Sequence, residues 1–263
     1  MRMEMEIGAL AERGIFALEQ RGQQGAPSVV LLHGINADHT EDRSSTKPGL
    51  FDLLVESLAA QGIGTVRFDF RGHGHSKAVD GHVSIESEFE DLDVVMSWLV
   101  DNGRRPQSVV ACSFGACATG LYLERKSTQF ECVVLVNPVL KPLETFLEPG
   151  SPWARENFNE ASLRQLDETG TLMLDGELPL GVNFVRDVKT VQPQRGLSEY
   201  RGPLSIVHGN ADTYVPFEYS ADFARRQQAS MLVVTGSEHG FGVMKDREFV
   251  AAHVSSYVAW ALR

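Results

Sequence analysis

The spacing of hydrophobic and polar positions divides the chain into two alternating kinds of segment. VVLLHG, residues 29–34, is apolar without alternation until its end, the pattern of a strand buried on both faces. GIGTVRFDF (62–70), residues 106–112, CVVLVNP (132–138), PLSIVHG (203–209) and MLVVTG (231–236) predict further strands. Between them, helices are predicted over 49–61, 86–101, 114–126, 217–228 and 246–261. Leu50, Leu53, Leu54, Ser57 and Leu58 share one face of the first of these. Phe89, Leu92, Val95, Met96 and Leu99 share one face of the second, and Val250, Val254, Tyr257 and Ala261 of the last. Strand alternating with helix predicts an α/β fold, with a mostly parallel, doubly wound sheet covered on both faces. In such folds ligands bind at the carboxyl ends of the strands.

Two regions depart from the alternation. MEMEIGAL and GIFALEQ, within residues 3–20, read as an antiparallel pair of strands around Glu12, Arg13 and Gly14, followed by a loop over 21–28. Residues 139–200 carry Pro142, Pro149, Pro152 and Pro179 and interrupt the pattern. Inside them TLML and ELPL flank Asp175 and Gly176, which predicts a two-residue hairpin turn. We read 139–200 as a lid inserted into a core made of 1–138 and 201–263.

Composition narrows the function classes. The 263 residues are 43% hydrophobic and 22% charged, ordinary for a globular chain, with a net charge of −11. An acidic surface disfavours nucleic acid, and no basic run suggests a membrane surface. Cys112, Cys117 and Cys132 lack the spacing of a disulfide framework or a zinc site. No apolar run is long enough to span a bilayer. The N-terminal MRMEMEIGALAERG carries acids where a signal peptide would be apolar, so a cytoplasmic location is expected. Oligomeric state is left open, a homodimer included.

The chemistry lies where strands end. VVACSFG puts Ser113 between a strand and a helix, where a sharp turn would hold its hydroxyl clear of the sheet. Gly115 supplies the small residue at +2, and Ala111 stands where Gly-x-Ser-x-Gly would have its first glycine. Cys112 is the rival nucleophile, but its neighbours at −2 and +2, Val110 and Phe114, are too bulky for such a turn. A serine hydroxyl needs a base, and His239 in VVTGSEHGF follows a strand. The imidazole needs an acid to orient it, and IVHGNADTYVP supplies Asp212. An oxyanion hole would use the backbone N–H of Phe114 and of Ile35, with Asn36 as the alternative to Ile35. Each residue alone has a plainer reading as a turn, cap or surface residue. Three of them at three strand ends, in the order Ser, Asp, His, are a far rarer coincidence.

Together LLHGIN, FDFRGHGHS, CSFGA, HGNADTYVP and GSEHGF resemble the α/β-hydrolases, in order and separation, over residues 30 to 242. The resemblance implies the α/β-hydrolase fold and a triad of Ser113, Asp212 and His239. It also implies that Asp69, Arg71 and the glycines of residues 68–76 chiefly stabilise their own loop. His73, His75 and His82 are therefore not read as metal ligands, and neither metal nor cofactor is expected. The insertion resembles the lids of small bacterial carboxylesterases, including those acting on cinnamoyl and feruloyl esters. Leu140, Leu143, Phe146, Leu147, Trp153, Phe158, Leu172, Met173, Leu178 and Phe184 suit either an acyl or aryl pocket or the lid's own core. The expected activity is hydrolysis of a small to medium carboxylic ester. A thioesterase, acyltransferase or serine aminopeptidase on the same triad is the alternative, and a non-catalytic binding protein of this fold is the alternative outside catalysis.

Overall fold

A computed structural model describes residues 4–23, 26–41, 48–76, 83–126, 130–175 and 178–263. The chain begins with β1 (Met5–Glu6), a helical turn α1 (Gly8–Ala11) and β2 (Ala17–Gln20). Then β3 (Ser28–Leu32), α2 (Leu50–Ala60), β4 (Gly64–Phe68), α3 (Ile85–Asp101), β5 (Pro106–Cys112), α4 (Gly115–Arg125) and β6 (Cys132–Val136) alternate. A segment of α5 (Pro142–Phe146), α6 (Pro152–Glu156), α7 (Glu160–Thr169), β7 (Thr171–Leu174), β8 (Leu178–Gly181), α8 (Val182–Thr190) and α9 (Pro193–Glu199) follows. Alternation resumes with β9 (Leu204–Gly209), α10 (Phe217–Gln227), β10 (Ser230–Val234) and α11 (Met244–Ala261).

Eight strands form one sheet in the order β1-β2-β4-β3-β5-β6-β9-β10. From β4 to β10 all neighbours are parallel, and β2 joins β4 antiparallel. The near-continuous apolar runs of β3 and β6 follow from burial on both faces, while β4 and β9 also bury Thr65, Arg67 and Ser205. Val30, Leu32, Val109, Ala111, Val133 and Leu135 face a core closed by α3, α4 and α10. Val29, Leu31, Val110, Val134 and Val136 face the opposite core, closed by α2 and α11. Among the described residues no helix is long and apolar enough to cross a membrane.

Three expectations need correction. The N-terminal strands do pair, Met5 with Glu19 and Glu6 with Leu18, but the first is two residues long. Ile7 and Leu10 are both buried, a three-residue spacing that a helical turn satisfies and a strand does not, so residues 8–11 coil. On α2 the buried stripe is Leu50, Phe51, Leu54, Val55 and Leu58, so Phe51 and Val55 point inward while Leu53 and Ser57 sit at its margin. In the β7–β8 hairpin Leu174 pairs with Leu178, which leaves three residues in the loop where two were expected. Asp175 there adopts φ 51°, and Gly176 lies outside the described residues.

The segment from α5 to α8 packs its apolar residues on the carboxyl end of the sheet. Phe146, Phe158, Leu172, Leu174, Leu178 and Phe184 share one buried cluster with Ile35 and Phe114. Leu143 and Met173 face solvent instead, at 44% and 43% exposure. Leu197 of α9 joins the cluster beneath the sheet, with α4.

Candidate functional site

Ser113 stands between the last residue of β5 and the first of α4, at φ 46° and 6% exposure. That left-handed conformation is unfavourable for a side-chain-bearing residue, and neighbouring bonds hold it. Its N–H donates to the Val136 carbonyl (2.9 Å), and its carbonyl accepts from Val139 N–H (3.0 Å). The turn demands a small residue at +2: a Cβ on Gly115 would lie 2.8 Å from the His33 carbonyl oxygen. Ala111 at −2 is wholly buried in β5, where its methyl group packs in the core.

His239 lies in the turn after β10, its side chain 22% exposed. Its Nε2 is 2.9 Å from Ser113 Oγ and its Nδ1 is 2.6 Å from Asp212 Oδ2. An ionised carboxylate can only accept, so Nδ1 carries the proton and the Nε2 lone pair faces the serine hydroxyl. Asp212, after β9, has a fully buried side chain. Burial alone would push its carboxyl up. Hydrogen bonds from His208 and His239 outweigh burial and hold it well below the ordinary carboxylate range. Its Oδ1 accepts from the N–H groups of Tyr214 and Val215, both at 2.9 Å. The structure thus brings the three sequence candidates into one hydrogen-bonded line. Cys112 is 3% exposed, and burial pushes its thiol well above the ordinary range, so little thiolate is available for attack.

The loop after β3 passes directly beside the serine: a Cβ on Gly34 would sit 2.9 Å from Ser113 Cβ. Ala37 N–H donates to the Gly34 carbonyl (3.2 Å), closing a turn with Ile35 and Asn36 at its centre. Gly34 N–H is taken by Glu41 Oε2 (2.8 Å). Among the described residues the N–H groups of Ile35 and Phe114 have no acceptor. Asn36 uses its side-chain amide to reach Asp175 Oδ2 of the β7–β8 hairpin (2.8 Å). The cavity against Ser113 is about 20 Å³, room for one water, with Glu41, Leu50, Asn137 and Phe241 in its walls. A far larger cavity, about 1060 Å³, lies elsewhere; Gln20, Asp52 and Glu56 line it, and none of Ser113, Asp212 and His239 does.

Two supporting residues escaped sequence reasoning. Asn137, just past β6 at φ 43°, donates through Nδ2 to the His239 carbonyl and accepts the Gly209 N–H at Oδ1 (3.0 Å). It therefore ties the loop of His239 to the strand that leads to Asp212. His208, fully buried in β9, lies 3.1 Å from Asp212 Oδ2 through Nε2 and 2.7 Å from Ser220 Oγ through Nδ1. Both residues end apolar runs with a polar side chain, the one signal that could have marked them.

The loop after β4 behaves as the motif implied. Arg71 pairs with the buried Asp91. Asp69 accepts the backbone N–H of His39 (2.6 Å) and of His75 (2.7 Å). His33 receives the Phe70 N–H at Nε2 (3.0 Å) and donates from Nδ1 to the Gly34 carbonyl (2.8 Å). Burial holds His33 below its ordinary pKa, hence neutral. His73 is buried against His33, His75 is exposed, and His82 lies outside the described residues.

Known proteins share this architecture. The family model described as serine aminopeptidase, S33 matches residues 24–170. An uncharacterized abhydrolase domain-containing protein of Dictyostelium discoideum is 29% identical over 117 residues, 44% of this chain and 11% of that protein. The chain therefore spans only a small part of the length of the curated relative it matches. Est1E of Butyrivibrio proteoclasticus, solved with ferulic acid bound, superposes with a TM-score of 0.75 at 19% identity, over 94% of this chain and 95% of that one. The monoacylglycerol lipase of Paleococcus ferrophilus gives 0.64 at 20% identity, over 94% and 99%. The esterase Pf2001 of Pyrococcus furiosus gives 0.66 at 19% identity, over 99% and 93%. At such identities the likeness is one of fold.

Proposed function

Because the chain belongs to the α/β-hydrolase family described as serine aminopeptidase, S33, we propose that it is a serine hydrolase cleaving a carboxylic ester of a small to medium acyl or aryl acid. The observation that carries this reading is the hydrogen-bonded line from Ser113 Oγ through His239 to Asp212. Ser113 Oγ attacks the ester carbonyl carbon while His239 Nε2 takes its proton. Asp212, held ionised, stabilises the imidazolium. The tetrahedral oxyanion is received by the N–H groups of Phe114 and Ile35, which have no acceptor among the described residues. His239 then returns the proton to the leaving alkoxide, and water, activated by the same imidazole, hydrolyses the acyl-enzyme. The chemistry needs no cofactor. Residues 139–200 act as a lid, because Phe146, Phe158 and Phe184 cover the oxyanion residues. The ester class is supported by neighbours named as esterases and a lipase, one of them with ferulic acid bound.

The family's own description makes an aminoacyl amide the second reading. A panel of p-nitrophenyl esters, acyl-CoA thioesters and aminoacyl anilides separates the classes. Ser113→Ala should lower kcat by about 10⁴-fold or more and abolish labelling by a fluorophosphonate. Near-normal turnover in that variant, or a wild-type serine inert to the probe, would overturn the assignment.

A further inference from the structure

We infer that His39, Asp69 and His75 form a binding site for a divalent transition-metal ion of zinc's ligand preference. Each residue offers one ligand atom, and the three atoms lie within 4.8 Å of one another. His39 Nδ1 is 2.8 Å from Asp69 Oδ1, and His75 Nδ1 is 3.5 Å from Asp69 Oδ2. A tetrahedral ion with ligand bonds of about 2.0–2.2 Å separates adjacent ligand atoms by about 3.3 Å. The His75 separation lies close to that value, and the His39 contact, now a hydrogen bond to the other carboxylate oxygen, would lengthen by about 0.5 Å on binding. Two imidazoles and one carboxylate are the donor set such an ion takes when a fourth position is left open.

The site is partly built already. Asp69 has no exposed side-chain surface, and the N–H groups of His39 and His75 fix its two oxygens. Phe16 packs against both rings, at 5.0 and 4.9 Å between centroids, and so orients them. Oδ1 already accepts two hydrogen bonds from His39, whereas among the described residues Oδ2 accepts one, from the His75 N–H. That ring is 67% exposed and makes no side-chain hydrogen bond among the described residues, so an ion has a path from solvent. Binding would displace the Nδ1 proton of His39, which now goes to Asp69. Hydrogen bonds of the loop account for Asp69 and the backbone of both histidines; the His75 imidazole adds only ring contacts with Phe16 and His39 and its approach to Asp69.

His39 lies beyond the turn that carries Ile35, and His75 lies in the loop after β4. An ion would cross-link the two loops where a hydrogen-bond network now joins them. The inference does not depend on the triad. Titrating the purified chain with Zn²⁺ by calorimetry should give one site with micromolar affinity and a rise in Tm. His75→Ala, which removes an exposed ring and keeps the fold, should weaken that site by at least the about 10–100-fold that loss of an outer-shell partner costs and remove the Tm rise. His239→Ala should retain the site. Co²⁺ should show the visible absorption of a low-coordinate site in wild type and lose it in His75→Ala. No binding by wild type, equal binding by His75→Ala, or loss of the site in His239→Ala would overturn the inference.

Discussion

Glu88 offers a test of how burial governs charge in this fold. It sits on α3 at 1% exposure, and neither carboxylate oxygen has a hydrogen-bond partner among the described residues. Burial pushes its carboxyl well above the ordinary range, and the like charges of Asp91 and Glu41 push the same way. The folded protein therefore keeps the proton, while the unfolded chain releases it above about pH 4.3. Between those two pKa values the unfolded state binds fewer protons, so stability falls as pH rises, by about 1.4 kcal/mol per unit crossed. Glu88→Gln keeps the shape and cannot ionise in either state. A buried neutral amide and a buried neutral acid cost about the same, so the two proteins should be equally stable near about pH 4. Above it the variant should gain about 1.4 kcal/mol per pH unit, or about 3–6 °C in Tm, until the folded carboxyl itself ionises. Urea unfolding in steps from about pH 4 to about pH 8 measures the difference directly. A difference independent of pH would mean that Glu88 is ionised in the fold, and the reasoning from burial would fail.

Two further predictions concern the geometry around Ser113. Asn137→Gly keeps the left-handed backbone but deletes both side-chain bonds, leaving the His239 carbonyl and Gly209 N–H unpaired. A shift of about 1 Å in the imidazole can cost about 10²-fold, so kcat/KM on a p-nitrophenyl ester should fall by about that much. Unchanged turnover would show that the two loops hold themselves. Gly34→Ala places a methyl group 2.9 Å from Ser113 Cβ and 3.4 Å from Glu41 Oε1. Because Cβ is not the far end of a flexible side chain, the turn carrying Ile35 must move, and kcat should drop by about 10²-fold with KM little changed; a rise in KM alone would contradict the oxyanion placement.

What the sequence made legible follows from how much of each property is local. Burial on both faces writes itself into β3 and β6 as nearly uninterrupted apolar runs and into β5 and β9 as runs broken only by Gln107, Ser108, Ser205 and the terminal His208, so those strands and their helices were readable to within a few residues. Ser113, Asp212 and His239 were readable because each follows such a run. Their mutual geometry was not local. It depends on β5, β6, β9 and β10 being adjacent and in register, with Ser113 N–H bonded to Val136. Asn137 and His208 act only through that adjacency. In the sequence they look like the polar ends of two strands, and nothing there says that one spans to the His239 loop or that the other meets Asp212.

Glu88 and Asp91 were hidden for the opposite reason. Helical periodicity assigns charged residues to the wet face, and on α3 the apolar stripe of Leu92, Val95, Met96 and Leu99 satisfies that rule by itself. Near its N-terminus α3 runs under β8's neighbour Val83 and against α4 and α8, so positions that would be wet on a bare helix are covered. Asp91 meets Arg71 there; among the described residues Glu88 meets no cation. The same covering explains why the apolar residues of 139–200 could not be divided in advance into pocket and core. Phe146, Phe158 and Phe184 pack edge-on and stacked among themselves and against Phe114, whose N–H faces the proposed oxyanion. The rings pack over Ile35 and Phe114 on the lid side, whereas the 20 Å³ cavity against Ser113 is walled by Glu41, Leu50, Asn137 and Phe241 and by none of these rings. Because these rings pack directly on Phe114, a proposed oxyanion residue, substitutions that loosen the cluster should change the preference for ester size at the expense of stability.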